Sequence, residues 1–532
     1  MLVILSISLL IFVAIGLLIL RSTRPGFKYS WPIVSIATLI SWVLILLSYL
    51  DLPINIQILK GSSSVMFANN IEFLLDDISW SYSLSLITLF LAAILTATPR
   101  VFINQNSSSE DSTASNQRWI PILVLVALGL LATMAGNLLT LVIMWVTLDI
   151  FEAILAIGDP NEERTDRLIK SLATRAAGIL ITIWVITIAY SREISIEIDS
   201  ATPQMSYFLL LASALRLGVL PKSQLPEGGD NFQRGYITII RLVPVTSSLM
   251  VLSRTNTIGT SEQIIILFII IACLAGFYGS FSWILAKNEI SGISYWILSM
   301  SSLSLIASVQ GFTTASLSWG IALLLSGGVL FLYSYTNKLI RFIPILGLLG
   351  LLGLPFTPSW HGTLIYSPTL PIFLIILIII IHSAILFGYL KQLLKIRTPM
   401  NDIERIATII YPWGLLLIPF IQYLIYIIIL TYSSLIGERP PLLHPTWIVL
   451  IPYFIVGVIF ILNRRGYKIQ TIYLNRILNL LSFNWLYAMI SWIFQRLGTL
   501  INFIDYFFES RGALLWTILF LTLIISLLLQ IS

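Results

Sequence analysis

The stretch NLLTLVIMWVTLDIFEAILAI, residues 137–157, is long enough to cross a membrane and carries two carboxylates in its second half. A bilayer core is about 30 Å thick, so a spanning helix needs roughly 20 mostly apolar residues. Asp149 and Glu152 are three positions apart, and a helix places both on one face. An ionisable side chain at membrane depth costs roughly 2.5–3.5 kcal/mol to insert, so each is a candidate for function. The stretch predicts a membrane helix with a charged face.

The composition of the whole chain predicts the same class of protein. Its 532 residues are 58% hydrophobic and only 10% charged, with a mean hydropathy of +0.95. Average soluble proteins are about 25% charged, so this chain lacks the polar surface of a soluble enzyme, a nucleic-acid binder or a disordered scaffold. One cysteine and three widely separated histidines predict no metal site. We find no phosphate loop or nucleophile motif, and we expect no cofactor.

Apolar runs of spanning length recur about sixteen times. They lie approximately at 2–20, 31–50, 78–97, 119–135, 137–157, 171–190, 206–221, 236–253, 263–285, 290–310, 313–335, 341–357, 369–391, 409–433, 446–463 and 513–531. Basic residues fall mostly in the loops after odd-numbered runs. The loops after even-numbered runs carry only Lys60, Arg192, Arg254 and Arg439. By the positive-inside rule, both chain ends are predicted to lie outside.

Two stretches depart from this pattern of short loops. Residues 51–77 have alternating apolar and polar side chains at Ile54–Ile58 and Val65–Phe67, which predicts a small external hairpin. Residues 466–510 are too polar to span and too long for a linker. They predict an amphipathic helix along a membrane or partner surface, or a plain surface helix that anchors the last span.

Six ionisable residues lie within the predicted spans and form the candidate site. They are Asp149, Glu152, Arg175, Arg216, Arg241 and His382. The two acids and the three arginines of the next helices are candidates for a paired polar line that acts as a proton pathway or charge switch. Structural ion pairs, an Arg175 that snorkels to the surface and a His382 that only packs are the alternatives. Arginine does not deprotonate, so it shapes the field without carrying the proton.

Several motifs, in their order along the chain, resemble the antiporter-like membrane subunits of respiratory complex I, which are shared with Mrp-type sodium/proton antiporters. The motifs are Ile71–Ser79 before the third span, Asn137–Trp145, the break from Arg216 to Pro226, Gly350–Gly362 and Ala384–Lys391. The Gly-Leu-Pro…Gly element within Gly350–Gly362 is the most specific. The amphipathic stretch followed by Phe508–Trp516 is similar to the tail of the longer family members.

The resemblance implies an all-α polytopic fold with two inverted five-helix repeats, each containing a broken helix. The predicted parts are N-terminal helices with the external hairpin, two antiporter-like repeats, C-terminal helices, an amphipathic surface helix and a final span. In that order they cover residues 1–118, 119–253, 263–391, 409–463, 466–510 and 513–532.

The resemblance also implies a mechanism in which a glutamate and a series of lysines and histidines pass protons along the membrane midplane. This chain departs from that pattern at each charged position. Val146 stands where the glutamate is expected, Arg216 replaces a lysine, and Arg241 falls near a histidine or lysine. Ser291 and Gly327 stand where two further lysines are expected. Asp149 lies one turn after Val146 on the same face, so the acid has a candidate replacement.

Transport is the first functional hypothesis. The chain would be a membrane subunit of a complex I-like or Mrp-like assembly, taking part in proton or cation/proton translocation through a partial, divergent channel. The alternatives are a degenerate, non-pumping structural subunit and a membrane partner in inorganic-carbon uptake. At most it would belong to a proton-translocating oxidoreductase of the NADH or ferredoxin:quinone type, with no redox chemistry of its own. We expect other membrane subunits, lipid and protons or monovalent cations as partners, in a bacterial inner membrane or a thylakoid.

Overall fold

The structure is a computed structural model, and its internal contacts divide the chain into two units. In the first unit, Met1–Ile469, the described residues are 1–23, 30–57, 71–97, 119–157, 162–218, 231–255, 261–337, 340–367, 370–395, 397–399, 405–436 and 446–464. In the second, Gln470–Ser532, they are the single helical residues Leu478, Trp492, Arg496, Thr499 and Thr522. The predicted amphipathic segment and last span therefore fall almost entirely outside the described residues.

The described part of the first unit contains fifteen α-helices, and each coincides with one predicted span. They are α1 (Leu2–Thr23), α2 (Ser30–Leu47), α3 (Asp77–Thr96), α4 (Trp119–Thr133), α5 (Leu138–Ile157), α6 (Glu162–Ser191), α7 (Pro203–Arg216), α8 (Asn231–Arg254), α9 (Glu262–Leu285), α10 (Ile293–Val309), α11 (Thr313–Leu332), α12 (Ile343–Leu349), α13 (Ile372–Leu393), α14 (Arg405–Ile436) and α15 (Thr446–Arg464).

Ten helices of the described residues are long and apolar enough to cross a membrane. The spanning part of α11 is completely buried and that of α3 is 94% buried, whereas α1 and α2 are only 33% buried. Helices α3 and α11 therefore form the centre of the bundle, and α1 and α2 expose apolar side chains on its outside. The chain is a multi-pass membrane protein, and the predicted all-α polytopic fold is confirmed.

Two groups of five helices, α4–α8 and α9–α13, share one packing order. In each group the first helix packs against the second and the fifth, and the remaining neighbours in sequence also pack together. Helix α3 contacts both groups, and α8 contacts α10 and α11 across the boundary. Five spans are an odd number, so the second group runs through the membrane in the opposite direction to the first.

Helix α12 is much shorter than the predicted span 341–357, because the chain leaves the helix at Gly350. Gly353 has φ +64°, a conformation that favours glycine, and its N–H donates to Ser359 Oγ at 2.7 Å. A 3₁₀ turn at His361–Tyr366 follows. Trp319 Nε1 donates to the carbonyl of Gly362 at 2.9 Å, which ties the broken segment to α11. Glycines and prolines here produce one of the two broken helices that the resemblance implied. The other, from Arg216 to Pro226, lies mostly outside the described residues.

The structure contains the predicted hairpin, and its second strand is formed by residues that the prediction did not name. Strand β1 (Ile54–Gln57) pairs antiparallel with β2 (Glu72–Leu75). The stretch Val65–Phe67, which we expected to contribute, lies outside the described residues. A bridge from Phe73 to Ala135 attaches the hairpin to the loop after α4, and a bridge from Asn137 to Glu197 attaches that loop to the loop after α6.

Asp76 ends the hairpin and begins α3. Its carboxylate accepts from the Ser79 N–H at 2.9 Å in a capping box, and Arg254 Nη2 donates to it at 2.6 Å. Burial opposes the charge of this carboxylate, but Arg254 and Ser79 overcome that effect and hold the pKa of Asp76 below its ordinary value. The start of α3 is thereby joined to the end of α8.

A second ion cluster lies at the opposite ends of the helices. Glu289, in the loop between α9 and α10, is 2% exposed and accepts from Nη1 of both Arg234 and Arg397. Burial opposes its charge, whereas the two arginines lower its pKa, and the net pKa lies below the ordinary value. Nearby, strands β3 (Tyr335–Thr336) and β4 (Thr398–Pro399) pair in parallel.

These contacts bear on the topology, because each joins loops that the positive-inside rule places on the same side. Loops after even-numbered helices are joined by the hairpin, by the two bridges and by the Asp76–Arg254 pair. The Glu289 cluster and the β3–β4 pair join segments next to odd-numbered helices. An error of one span between them would break this agreement.

The orientation can be checked by labelling single cysteines in a Cys273→Ser background. Glu193→Cys and Leu394→Cys place exposed thiols at positions separated by the seven helices α7–α13. We expect a membrane-impermeant maleimide to label Glu193→Cys in intact cells, and Leu394→Cys only after permeabilisation. The reverse pattern would contradict the orientation, and labelling of both from outside would contradict the number of spans.

Candidate functional site

Five of the six candidate residues converge in the first helix group. Asp149 and Glu152 lie on α5, Arg175 on α6, Arg216 at the last position of α7 and Arg241 on α8. They form a continuous set of ion pairs, which we call the charge network. It joins four consecutive helices through their side chains.

Arg216 and Asp149 form the most regular pair of the network. Arg216 Nη1 donates to Asp149 Oδ2 at 2.7 Å, and Nη2 donates to Oδ1 at 3.0 Å. Such bidentate pairs are stronger and more directional than single charged hydrogen bonds. The Arg216 guanidinium also lies 4.4 Å from the centre of the Trp145 ring, and Trp145 Nε1 donates to Ser247 Oγ at 2.9 Å. Position and orientation of this guanidinium are therefore both fixed.

Arg175 joins the two carboxylates to each other. Its Nη1 donates to Asp149 Oδ1 at 3.2 Å and also to Glu152, and its Nη2 donates to Glu152 Oε1 at 3.1 Å and to Ser171 Oγ at 3.3 Å. Arg241 Nη1 lies 4.0 Å from Glu152 Oε1, at the limit of an ion pair. Arg175 is buried in the network, so it does not snorkel to the surface.

Burial makes these charges depend on one another. Asp149, Glu152, Arg175 and Arg216 are 8%, 3%, 7% and 6% exposed. Removing an ion from water costs several kcal/mol, and only a close partner with hydrogen bonds offsets that cost. All four carboxylate oxygens accept from a guanidinium or lie within ion-pair distance of one. Neither acid can bind a proton without losing favourable contacts.

A glycine positions the network, although the sequence gave no functional signal for it. A Cβ at Gly178 on α6 would lie 2.8 Å from the Ala212 carbonyl oxygen and 3.0 Å from Arg216 Cγ. Only glycine permits this approach of α6 to α7, which brings Arg216 towards Asp149. Trp145 and Ser247 were likewise missed as supports of Arg216, because an apolar run in one helix does not show what it faces.

A cavity of about 60 Å³ lies beside the charge network. It is bounded by residues of α6, α7, α8 and α10. Arg175, Arg216 and Arg241 line it together with the hydroxyl groups of Ser171, Thr174, Ser294 and Tyr295. The cavity therefore connects the network of the first helix group to the side of α10, which belongs to the second.

His382 lies apart from the network, in the second helix group. Its Nε2 is 2.9 Å from the Leu351 carbonyl oxygen and its Nδ1 is 2.8 Å from the Tyr366 hydroxyl. A carbonyl only accepts, so Nε2 carries the proton and Tyr366 donates to Nδ1. The Trp319 ring packs edge-on at 5.2 Å. These contacts hold the break after α12 in place. They do not test whether His382 relays protons, which stays a prediction.

At Gly327 and Ser291, where the sequence resemblance implied lysines, the structure shows a packing position and a local turn. A Cβ at Gly327 on α11 would lie 2.4 Å from Trp296 Nε1, so the Trp296 indole fills the space beside Gly327. Trp296 Nε1 donates to the Leu323 carbonyl at 3.0 Å, and its ring packs with Trp283, Phe331 and Tyr389. Ser291 Oγ donates to the Asn288 carbonyl at 3.0 Å in a local turn.

Solved structures with this fold include chains of two membrane complexes. A chain of the Mrp complex from Dietzia sp. DQ12-45-1b aligns with a TM-score of 0.70 and 12% identity, over 99% of this chain and 63% of that chain. A chain of the membrane-bound sulfane sulfur reductase, an archaeal respiratory membrane complex, aligns with a TM-score of 0.67 and 14% identity, over 98% and 99%. This chain therefore spans somewhat less than two thirds of the Mrp chain. No protein-family model and no curated protein matches the sequence.

At identities this low the likeness is one of fold. It extends over nearly the whole chain, as the ordered motifs predicted, so the resemblance inferred from the sequence is confirmed for the fold. The similarity gives no residue-level assignment to the charge network, which rests on the geometry described above.

A double-mutant cycle tests the central pair. We expect Asp149→Asn to destabilise the protein by about 3–5 kcal/mol, because it leaves buried Arg216 with a neutral partner. Arg216→Gln should cost a similar amount, and the double variant should cost clearly less than the sum. The measurement is thermal unfolding of purified protein in detergent, with Asp51→Asn, an exposed acid-to-amide change, as the control. Additive effects would show that the two residues do not interact.

Proposed function

We propose that this chain is a membrane subunit of a multi-subunit, cation/proton antiporter-like assembly, and that its charge network takes part in ion translocation. The observation that carries the proposal is the buried network itself, which joins α5 to α8. A protein that only seals a membrane gains nothing from four buried charges and a fifth beside them, because apolar residues in their place would carry no such penalty. The fold shared with subunits of two membrane complexes supports the subunit role.

The exchangeable groups in this proposal are the carboxylates. Arginine stays charged at every physiological pH, so a proton or monovalent cation must bind at Asp149 or Glu152. Since guanidinium groups occupy the carboxylate oxygens, binding requires an arginine to move away. Arg175 contacts both acids and is the residue best placed to move, leaving one carboxylate while it keeps the other. Ion binding and side-chain displacement are thereby coupled, as a charge switch requires.

Asp149 takes the part of the family's glutamate in this proposal. Val146 occupies the position at which the resemblance places that glutamate, and Asp149 follows three residues later on the same helix. Its bidentate contact with Arg216 supports the replacement. Arg216 would then set the field at the acid, and Arg241 would extend the positive line towards α8 and the cavity. His382 would take part only as a relay in the second group.

A structural role is the second candidate, and one observation favours it. The second helix group has an aromatic cluster around Trp296 where the resemblance implies a lysine at Gly327. A packed indole does not gain or lose a proton near neutral pH, so this group would have no ion route of its own. We propose a bacterial inner membrane as the location, with a thylakoid as the alternative.

Copurification tests the subunit proposal. Gentle detergent extraction of the tagged chain from native membranes, followed by mass spectrometry, should recover other multi-pass membrane proteins in fixed ratio. An unrelated tagged multi-pass protein, extracted identically, is the control. Hydrophilic redox subunits in the same complex would identify an electron-driven assembly, and a soluble zinc protein would support inorganic-carbon uptake. Recovery of the chain alone would contradict the subunit proposal.

Proton flux tests the charge network. In vesicles that contain the complete assembly, Asp149→Asn should abolish coupled proton movement, measured with a pH-sensitive dye. Arg216→Lys should reduce it, because lysine keeps the charge but loses the bidentate geometry. Asp51→Asn should leave it unchanged. Assembly of each variant is checked by its copurification. Wild-type flux in an assembled Asp149→Asn variant would favour the structural role.

A further inference from the structure

The cavity beside the charge network is small. Its volume of about 60 Å³ is far below the roughly 300–1,000 Å³ of sites for drug-sized ligands. One water needs roughly 10–15 Å³ of such space. The cavity therefore admits a few waters or a small inorganic ion, and no organic substrate.

The described lining residues offer hydrogen-bond donors and positive charge. Three arginines line the cavity together with three serine or threonine residues and one tyrosine, and no acidic residue is among the described residues that line it. Asp149 and Glu152 contact the same arginines but do not line the cavity. The last carbonyls of α7 add about half a negative charge at most. Because the three arginines of the network meet only two carboxylates, a net positive charge remains beside the cavity, and it favours an anion over a cation.

Arg216 supplies a second, independent observation. Both of its Nη atoms donate to Asp149, whereas its buried Nε has no hydrogen-bond partner within the described structure. Arg216 is 94% removed from solvent, as its 6% exposure shows. A buried charged donor without an acceptor costs about 1–3 kcal/mol or more. The Nε atom is closed to a water-sized molecule, so an anion in the adjoining cavity would offset this cost through its charge and not through a hydrogen bond.

We propose that this cavity is a binding site for a small monovalent inorganic anion, such as chloride or bicarbonate. Arg216 holds the anion with its charge, and the hydroxyls of Ser294 and Tyr295 complete the site from α10. The anion thereby links the two helix groups and compensates the positive side of the network. The site shares Arg175, Arg216 and Arg241 with the charge network, but it does not depend on ion translocation by the chain.

Filling the cavity tests the site without removing a charge. Ser294→Leu places an apolar side chain into the cavity and leaves the ion pairs of the network in place. Ser8→Leu, an exposed serine on α1 whose hydroxyl bonds only its own helix, is the matched control. The probe is chloride, followed by line broadening of its ³⁵Cl resonance with the purified full chain in detergent. Gluconate replaces chloride to keep the ionic strength constant.

We expect saturable broadening with the wild type and with Ser8→Leu, and its loss with Ser294→Leu. If bicarbonate reverses the broadening, the site binds either anion. If bicarbonate does not reverse it, the site is restricted to chloride. Both outcomes support the site. Equal saturable broadening in Ser294→Leu and the wild type would overturn the proposal, as would its absence from the wild type.

Ser294→Val is a smaller replacement for use if Ser294→Leu does not run as a single species in size-exclusion chromatography. It removes the hydroxyl and should weaken chloride binding. Unchanged binding in a folded Ser294→Val variant would contradict the part assigned to Ser294. These binding readouts are independent of proton flux, so the anion site can fail while the translocation proposal stands, and the reverse.

Discussion

The bidentate contact between Arg216 and Asp149 is the constraint on which the first helix group depends. Two charges at this depth are tolerated only while each satisfies the other, because the surroundings offer little water. Gly178 permits the close approach of α6 and α7, Trp145 supports the guanidinium face, and Arg175 ties the pair to Glu152. The positions of four helices are thereby linked to the ionisation of two carboxylates.

The second helix group packs its interior with aromatic side chains. Trp283 and Trp296 fill its interior, and glycines on neighbouring elements make room for them: Gly292 and Gly388 face Trp283, and Gly327 faces Trp296. The Trp296 indole thus occupies the space that a side chain at Gly327 would need. Two groups with the same helix order have different interiors, one ionic and the other aromatic.

Ion pairs at both ends of the bundle hold the groups together. On one side Arg254 of α8 pairs with Asp76 at the start of α3, and on the other Glu289 pairs with Arg234 of α8 and Arg397 after α13. Helix α8 takes part at both ends and also carries Arg241. A displacement of α8 would therefore change the charge network and both end contacts together. Any movement driven by ion binding would be transmitted through α8 to both ends of the bundle.

The sequence by itself determined the class of protein, the approximate position of each described helix and the shared face of Asp149 and Glu152, and it predicted the side of the membrane on which each loop lies. These follow from run length, helical period and loop charge, which are local properties. Only the tertiary structure decided that Arg175 joins both acids, that Trp296 fills the space beside Gly327, that α12 ends at Leu349, and that the hairpin uses Glu72–Leu75. Those features depend on how closely helices distant in sequence approach and how they are rotated, and no local pattern encodes the shape of a partner helix.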